Sequence, residues 1–94
     1  MNILTIVSAE VDEGRAGDLV QAFESLLAVG LPEGLLETRL LGDGHGRWAI
    51  HSLWRDRAAL DAMRSSTEPA APALFRRFQA EPTLAVMQVL TSSA

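Results

Sequence analysis

Cysteine and tyrosine are both absent from the 94 residues. The first absence excludes disulfides, thiolate nucleophiles, iron–sulfur clusters and cysteine-ligated zinc. The second removes the phenol as acid, base or radical carrier. Lysine is missing too, so all eight basic residues are arginines, set against twelve carboxylates for a net charge of −4. That balance supplies no face able to neutralise phosphates, which argues against nucleic acid as a partner. With only His45 and His51, a three-histidine metal site within one chain is impossible, and no metal or other cofactor is expected. No apolar run approaches the roughly 18 residues that span a bilayer, so no membrane partner is expected either. Met1 to Val7 carries no basic stretch and runs into Glu10 and Asp12. It reads as a strand rather than a signal peptide, so a cytoplasmic protein is the simplest expectation.

What is present is a sequence of alternating periodicities. Residues 2–10 hold Ile3, Leu4, Ile6 and Val7, apolar on both parities, as in a strand buried on two sides. After Asp12, a candidate N-cap, the residues Ala16, Leu19, Val20, Phe23, Leu26 and Leu27 repeat at helical spacing until Gly30, Pro32 and Gly34 stop the helix. Leu35 to Leu41 predicts a second strand, with Leu36, Thr38 and Leu40 on one face and Glu37, Arg39 and Leu41 on the other. The run Gly42-Asp43-Gly44-His45-Gly46 is a turn by composition and predicts a hairpin. It precedes a strand and lacks the lysine of a phosphate-binding loop, so it is not read as one. The third strand, Arg47 to Arg55, sets Trp48, Ile50, Ser52 and Trp54 against Ala49, His51 and Leu53. Asp56 can cap a short helix through Ser65, Thr67-Glu68-Pro69 starts another that ends before Pro82, and Thr83 to Thr91 predicts a last strand before a frayed tail, Ser92 to Ala94.

The order β-α-β-β-α-β predicts one ferredoxin-like α+β domain over residues 1–94, with a four-stranded antiparallel sheet and its helices on one face. Strands apolar on both faces leave the second face too hydrophobic to meet water. A second copy is the simplest cover, so a homodimer packed sheet to sheet is expected.

The strand and Gly14-containing helix start, the turn Leu31-Pro32-Glu33-Gly34, the pair Leu40-Leu41 and above all Leu53-Trp54-Arg55-Asp56-Arg57-Ala58-Ala59-Leu60 resemble the antibiotic biosynthesis monooxygenase family. The resemblance covers essentially the whole chain and implies a dimeric α+β barrel. It also implies a cofactor-independent monooxygenase acting on an aromatic polyketide or quinol-type small molecule, bound between sheet and helices near Trp54. Other members of the family degrade haem. Their Asn, Trp and His positions correspond here to Val7, Met63 and Ala73, which disfavours that branch, and an Asn of the polyketide-oxidising pattern corresponds to Ile50.

Cofactor-free oxygenation needs an aromatic plane, a route for one proton and exclusion of water. Either Trp54 and Trp48 supply the plane, or both are core tryptophans covering the sheet. Ser52 shares the Trp54 face and offers one hydrogen bond. Arg76 or Arg77 would reach over the pocket to polarise the ligand, or pair with Glu68 and Glu81 on a solvated surface. Phe23, Met63, Phe75 and Val7 would shape the wall. His51 is a second-choice base: alternation turns it away from Trp54 unless a bulge or an inter-subunit site intervenes, and otherwise it joins Glu37 and Arg39 in a polar interface network. A non-catalytic ligand-binding or dimerisation module, and a polyketide cyclase or isomerase, are the alternatives on the same barrel.

Overall fold

The computed structural model describes residues 1–93; Ala94, the end of the expected tail, lies outside them. Strand β1 (Ile3–Glu10) leads through a single 3₁₀ turn into helix α1 (Ala16–Val29). Strands β2 (Leu35–Gly42) and β3 (Arg47–Trp54) form the expected hairpin, helices α2 (Arg57–Ser66) and α3 (Ala70–Arg77) follow, and β4 (Thr83–Gln88) closes the chain. The sheet has the order β2-β3-β1-β4 with every pair antiparallel. This is the ferredoxin-like split βαβ arrangement.

Alternation decides which residues meet the helices. Ile3, Thr5, Val7 and Ala9 of β1 are buried, and their cross-strand partners Trp54, Ser52, Ile50 and Trp48 share their side of the sheet. Helix α1 contributes Leu19 and Phe23, α2 contributes Ala59 and Leu60, and α3 contributes Leu74 and Phe75. The core these residues form is divided. One cluster gathers Val7, Phe23, Ile50, Leu74, Phe75 and Phe78 among others, and a second gathers Ile3, Trp54, Ala59 and Leu60.

Two element ends and one register depart from the sequence expectation, each for a local reason. Asp12 accepts from the Gly14 amide at 2.9 Å and so caps the 3₁₀ turn, while the α-helix proper starts at Ala16 without a side-chain cap. Strand β2 slips register between Leu35 and Glu37. The bulge brings Leu35, not Leu36, opposite Trp54 on the helix side, and Leu36 is left 52% exposed. Strand β4 stops at Gln88 rather than Thr91 because its neighbour runs out: Gln88 lies opposite Ile3, and the Val89 amide makes the last bond, to the Asn2 carbonyl at 2.9 Å. In α2 the Asp56 carboxylate accepts from the Ala59 amide at 2.8 Å, and that bond holds its pKa below the ordinary value.

The opposite face of the sheet carries Leu4 and Ile6, paired with Leu53 and His51 on one side and with Met87 and Ala85 on the other. The helices pack their buried residues on the other face, and among the described residues Leu41 and Met87 stand exposed here. Among the described residues no helix is long and apolar enough to cross a membrane.

Candidate functional site

Between the two core clusters lies a cavity of about 510 Å³, walled by Val7, Phe23 and Ile50 from one cluster and by Trp54 and Leu60 from the other. Interiors are ordinarily packed like organic crystals, so a space this size stands out in a small domain. It lies within the range of small-molecule sites. Leu27, Val29, Leu31, Leu84, Thr67 and Glu68 line it and are also solvent-exposed, so its mouth runs along the α1–β2 turn, the edge of β4 and the end of α2.

The polar groups of the cavity form a row across three neighbouring strands. Register sets Thr38 of β2 beside Ser52 of β3, and Ser52 beside Thr5 of β1. Thr38 Oγ1 and Ser52 Oγ are 3.0 Å apart. One hydroxyl hydrogen is used between them, and the other stays free to donate into the cavity. Thr5 Oγ1 accepts from the Trp54 indole Nε1 at 3.2 Å and donates to the Ser52 carbonyl at 3.4 Å. These bonds satisfy the buried indole and fix the plane of Trp54, which is 3% exposed. Only two lining residues are charged, Arg64 and Glu68. Arg64 is half-buried near the end of α2; Glu68 is exposed beyond it.

Of the residues singled out from the sequence, Trp54, Ser52, Phe23, Met63 and Val7 meet around this cavity. The others stand elsewhere. Phe75 is fully buried in the larger cluster and off the wall, because α3 turns only its first residues, Ala70 to Pro72, toward the space. Trp48 borders a second hollow of about 350 Å³ with Glu13, Gly42, Gly44 and Gly46. Its ring lies on Gly42, where an added Cβ would stand 2.9 Å from the ring, and its indole Nε1 has no hydrogen-bond partner among the described residues. Arg76 and Arg77 are exposed near the far end of α3, away from the mouth. His51 is on the opposite face from Trp54: β3 runs without a bulge, and His51 pairs with Ile6 and with Arg39, itself ion-paired to Glu37.

Thr5, Thr38 and Arg64 were not anticipated. Thr5 and Thr38 are polar residues at the inward parity of strands otherwise apolar there. Arg64 follows Leu60 by four residues and so continues the buried stripe of α2. Each signal is readable once a cavity is suspected.

The lining residues do not fit haem. None is an imidazole, thiolate or phenolate, and among the described residues no group of three metal-ligating side chains occurs. Ala73, where the haem-degrading pattern has His, is not on the wall.

No curated protein sequence matches the chain. Among solved structures it is similar to a heme-degrading protein of Mycobacterium tuberculosis, at 23% identity and a TM-score of 0.73 with both chains covered fully. It is similar also to a protein of unknown function from Nitrosomonas europaea, at 17% identity and a TM-score of 0.76, over 99% of this chain and 93% of that one. A third is SnoaB, a cofactor-independent oxygenase of Streptomyces nogalater, at 10% identity and a TM-score of 0.68, over 98% and 96% of the two chains. At these identities the likeness speaks for the fold alone. The sequence profile of the antibiotic biosynthesis monooxygenases matches residues 2–81, and the chain belongs to that family.

Proposed function

We propose that the protein is a cofactor-independent monooxygenase-like enzyme, a cytoplasmic homodimer packed sheet to sheet, that takes an aromatic polyketide or quinol-type molecule into the cavity beside Trp54. The observation that carries the reading is the cavity itself: about 510 Å³, apolar walls, one fixed indole and one free hydroxyl hydrogen from the Ser52–Thr38 pair. Family membership supports the monooxygenase character. In this reading Trp54 stacks on the ring, Phe23, Met63 and Val7 close around it, and Ser52 or Thr38 donates to its hydroxyl or carbonyl oxygen.

The chemistry fits a site without a strong base. A ring CH₂ activated by neighbouring carbonyls loses a proton to water, the resulting anion passes an electron to O₂, and recombination makes the C–O bond of a peroxide anion. That anion takes a proton back to become a hydroperoxide, whose O–O bond breaks as its C–H is lost, giving a ketone and water. Glu68 at the mouth is the one carboxylate among the lining residues, so the substrate must be acidic in its own right. The wall restrains the anion and excludes bulk water. Position 50 bears on a second reading. Ile50 and Val7 make the wall apolar where active relatives carry amides, which favours a binding module that holds the ligand without oxidising it.

Oxygen-electrode traces with dithranol, an anthrone, in the presence of a chelator separate the two readings. Uptake in proportion to protein, lowered at least tenfold by Ser52→Ala combined with Thr38→Val, is expected. Saturable dithranol binding with no uptake above buffer would retire the enzyme reading in favour of the binding module. A changed product without uptake would identify a cyclase or isomerase.

A further inference from the structure

Two arginines of this chain are half-buried, and they are treated differently. Arg15 stacks its guanidinium 4.3 Å from the Phe78 ring centroid and donates to Gln79 Oε1 at 2.8 Å. Arg64 has neither hydrogen bond nor ion pair among the described residues, although it forms part of the cavity wall. Arg39, Arg55 and Arg57 each have a carboxylate within reach, Glu37, Asp56 and Asp61 respectively. Glu68 is four residues on from Arg64, yet the two do not pair, because α2 ends at Ser66 and the chain turns extended at Thr67. The last turn of a helix favours a cation, but that effect operates equally well with the side chain in water. It does not account for a half-buried side chain that lines the cavity with no carboxylate beside it, which leaves its donors open to an incoming anion.

We propose that the ligand of this cavity carries a carboxylate that pairs with Arg64 near the mouth, while its ring body fills the apolar interior and an oxygen at its far end meets the Ser52–Thr38 hydroxyls. This rests on the reading of the cavity as an aromatic-ligand site and narrows it to aromatic acids. The apolar interior accepts a ring of any kind, the hydroxyl pair accepts any oxygen, and Arg64 is the cation among the lining residues. It therefore sets both the charge of the ligand and which end goes in first. Glu68, the remaining charge on the lining, opposes an arriving anion and so weakens the attraction.

The test is calorimetric titration of the full chain, near neutral pH and at low salt, with 6-hydroxy-2-naphthoic acid and with its neutral primary amide. The acid should bind at least tenfold more tightly than the amide. Arg64→Gln should abolish that preference by weakening the acid alone, and Glu68→Gln should strengthen the acid several-fold with the amide unchanged. If acid and amide bind alike and neither substitution separates them, the carboxylate pairing is wrong and the aromatic-ligand cavity stands. If neither compound binds the native chain, the pairing and the cavity reading fall together.

Discussion

Thr5 shows how much of the site depends on a single side-chain oxygen. It accepts the Trp54 indole hydrogen and returns its own to the Ser52 carbonyl. Thr5→Val keeps the shape and removes both bonds, leaving a buried N–H without a partner. The expected loss is about 1–3 kcal/mol of stability in urea unfolding, with Thr5→Ser close to native. A change below about 0.5 kcal/mol would mean that the indole finds another acceptor. Trp54 and Ser52 were legible from alternation alone, since a strand two residues per repeat cannot hide which side they share. Thr5 and Arg64 were not, because a lone Thr in a strand and a lone Arg late in a helix are common surface residues. Only the packing of two other elements makes them interior. His51 stands on the face away from Trp54, as alternation without a bulge requires, and Arg76 lies near the far end of α3, off the cavity wall.

Among the elements, the connection between α1 and β2 is the most constrained. Gly34 has φ +85°, and a Cβ added there would collide with the Ala59 side chain where α2 begins. Its carbonyl also accepts from the Arg55 amide at 2.8 Å, tying the turn to the end of β3. Gly30, at φ +106°, has open space around it. The two therefore separate strain from collision: Gly30→Ala is expected to cost about 1 kcal/mol and Gly34→Ala about 2–4 kcal/mol in chemical denaturation. Equal costs would show that α2 yields to the extra methyl. All four strands and all three helices could be placed from periodicity and from Gly, Pro and Asp punctuation. The bulge at Leu36 could not, since Leu35 and Leu36 are chemically alike and only the register against β3 decides which points inward. The early end of β4 was likewise invisible, because a strand's length depends on a neighbour distant in sequence.

For the molecule as a whole, the unfilled account is the outer face of the sheet. Ile6 is central to it, flanked by His51 on β3 and Ala85 on β4. A sheet-to-sheet dimer is expected to cover this face, so sedimentation at micromolar concentration should give twice the chain mass. Ile6→Asp should halve it without disturbing the fold of the protomer. A native monomer at that concentration would overturn the expectation. On the other side of the sheet the two hydrophobic clusters share strands β1 and β3, with an open space between them. Whatever fills that space becomes core. By mass action a ligand at a hundred times its dissociation constant adds about 2.7 kcal/mol to the folded state. A marginally stable small domain gains a large fraction of its total from that. The empty protein then opens more often and is the better protease substrate. If the proposed ligand fills the space, lifetime in the cell is expected to follow its supply, and abundance itself becomes a readout of occupancy.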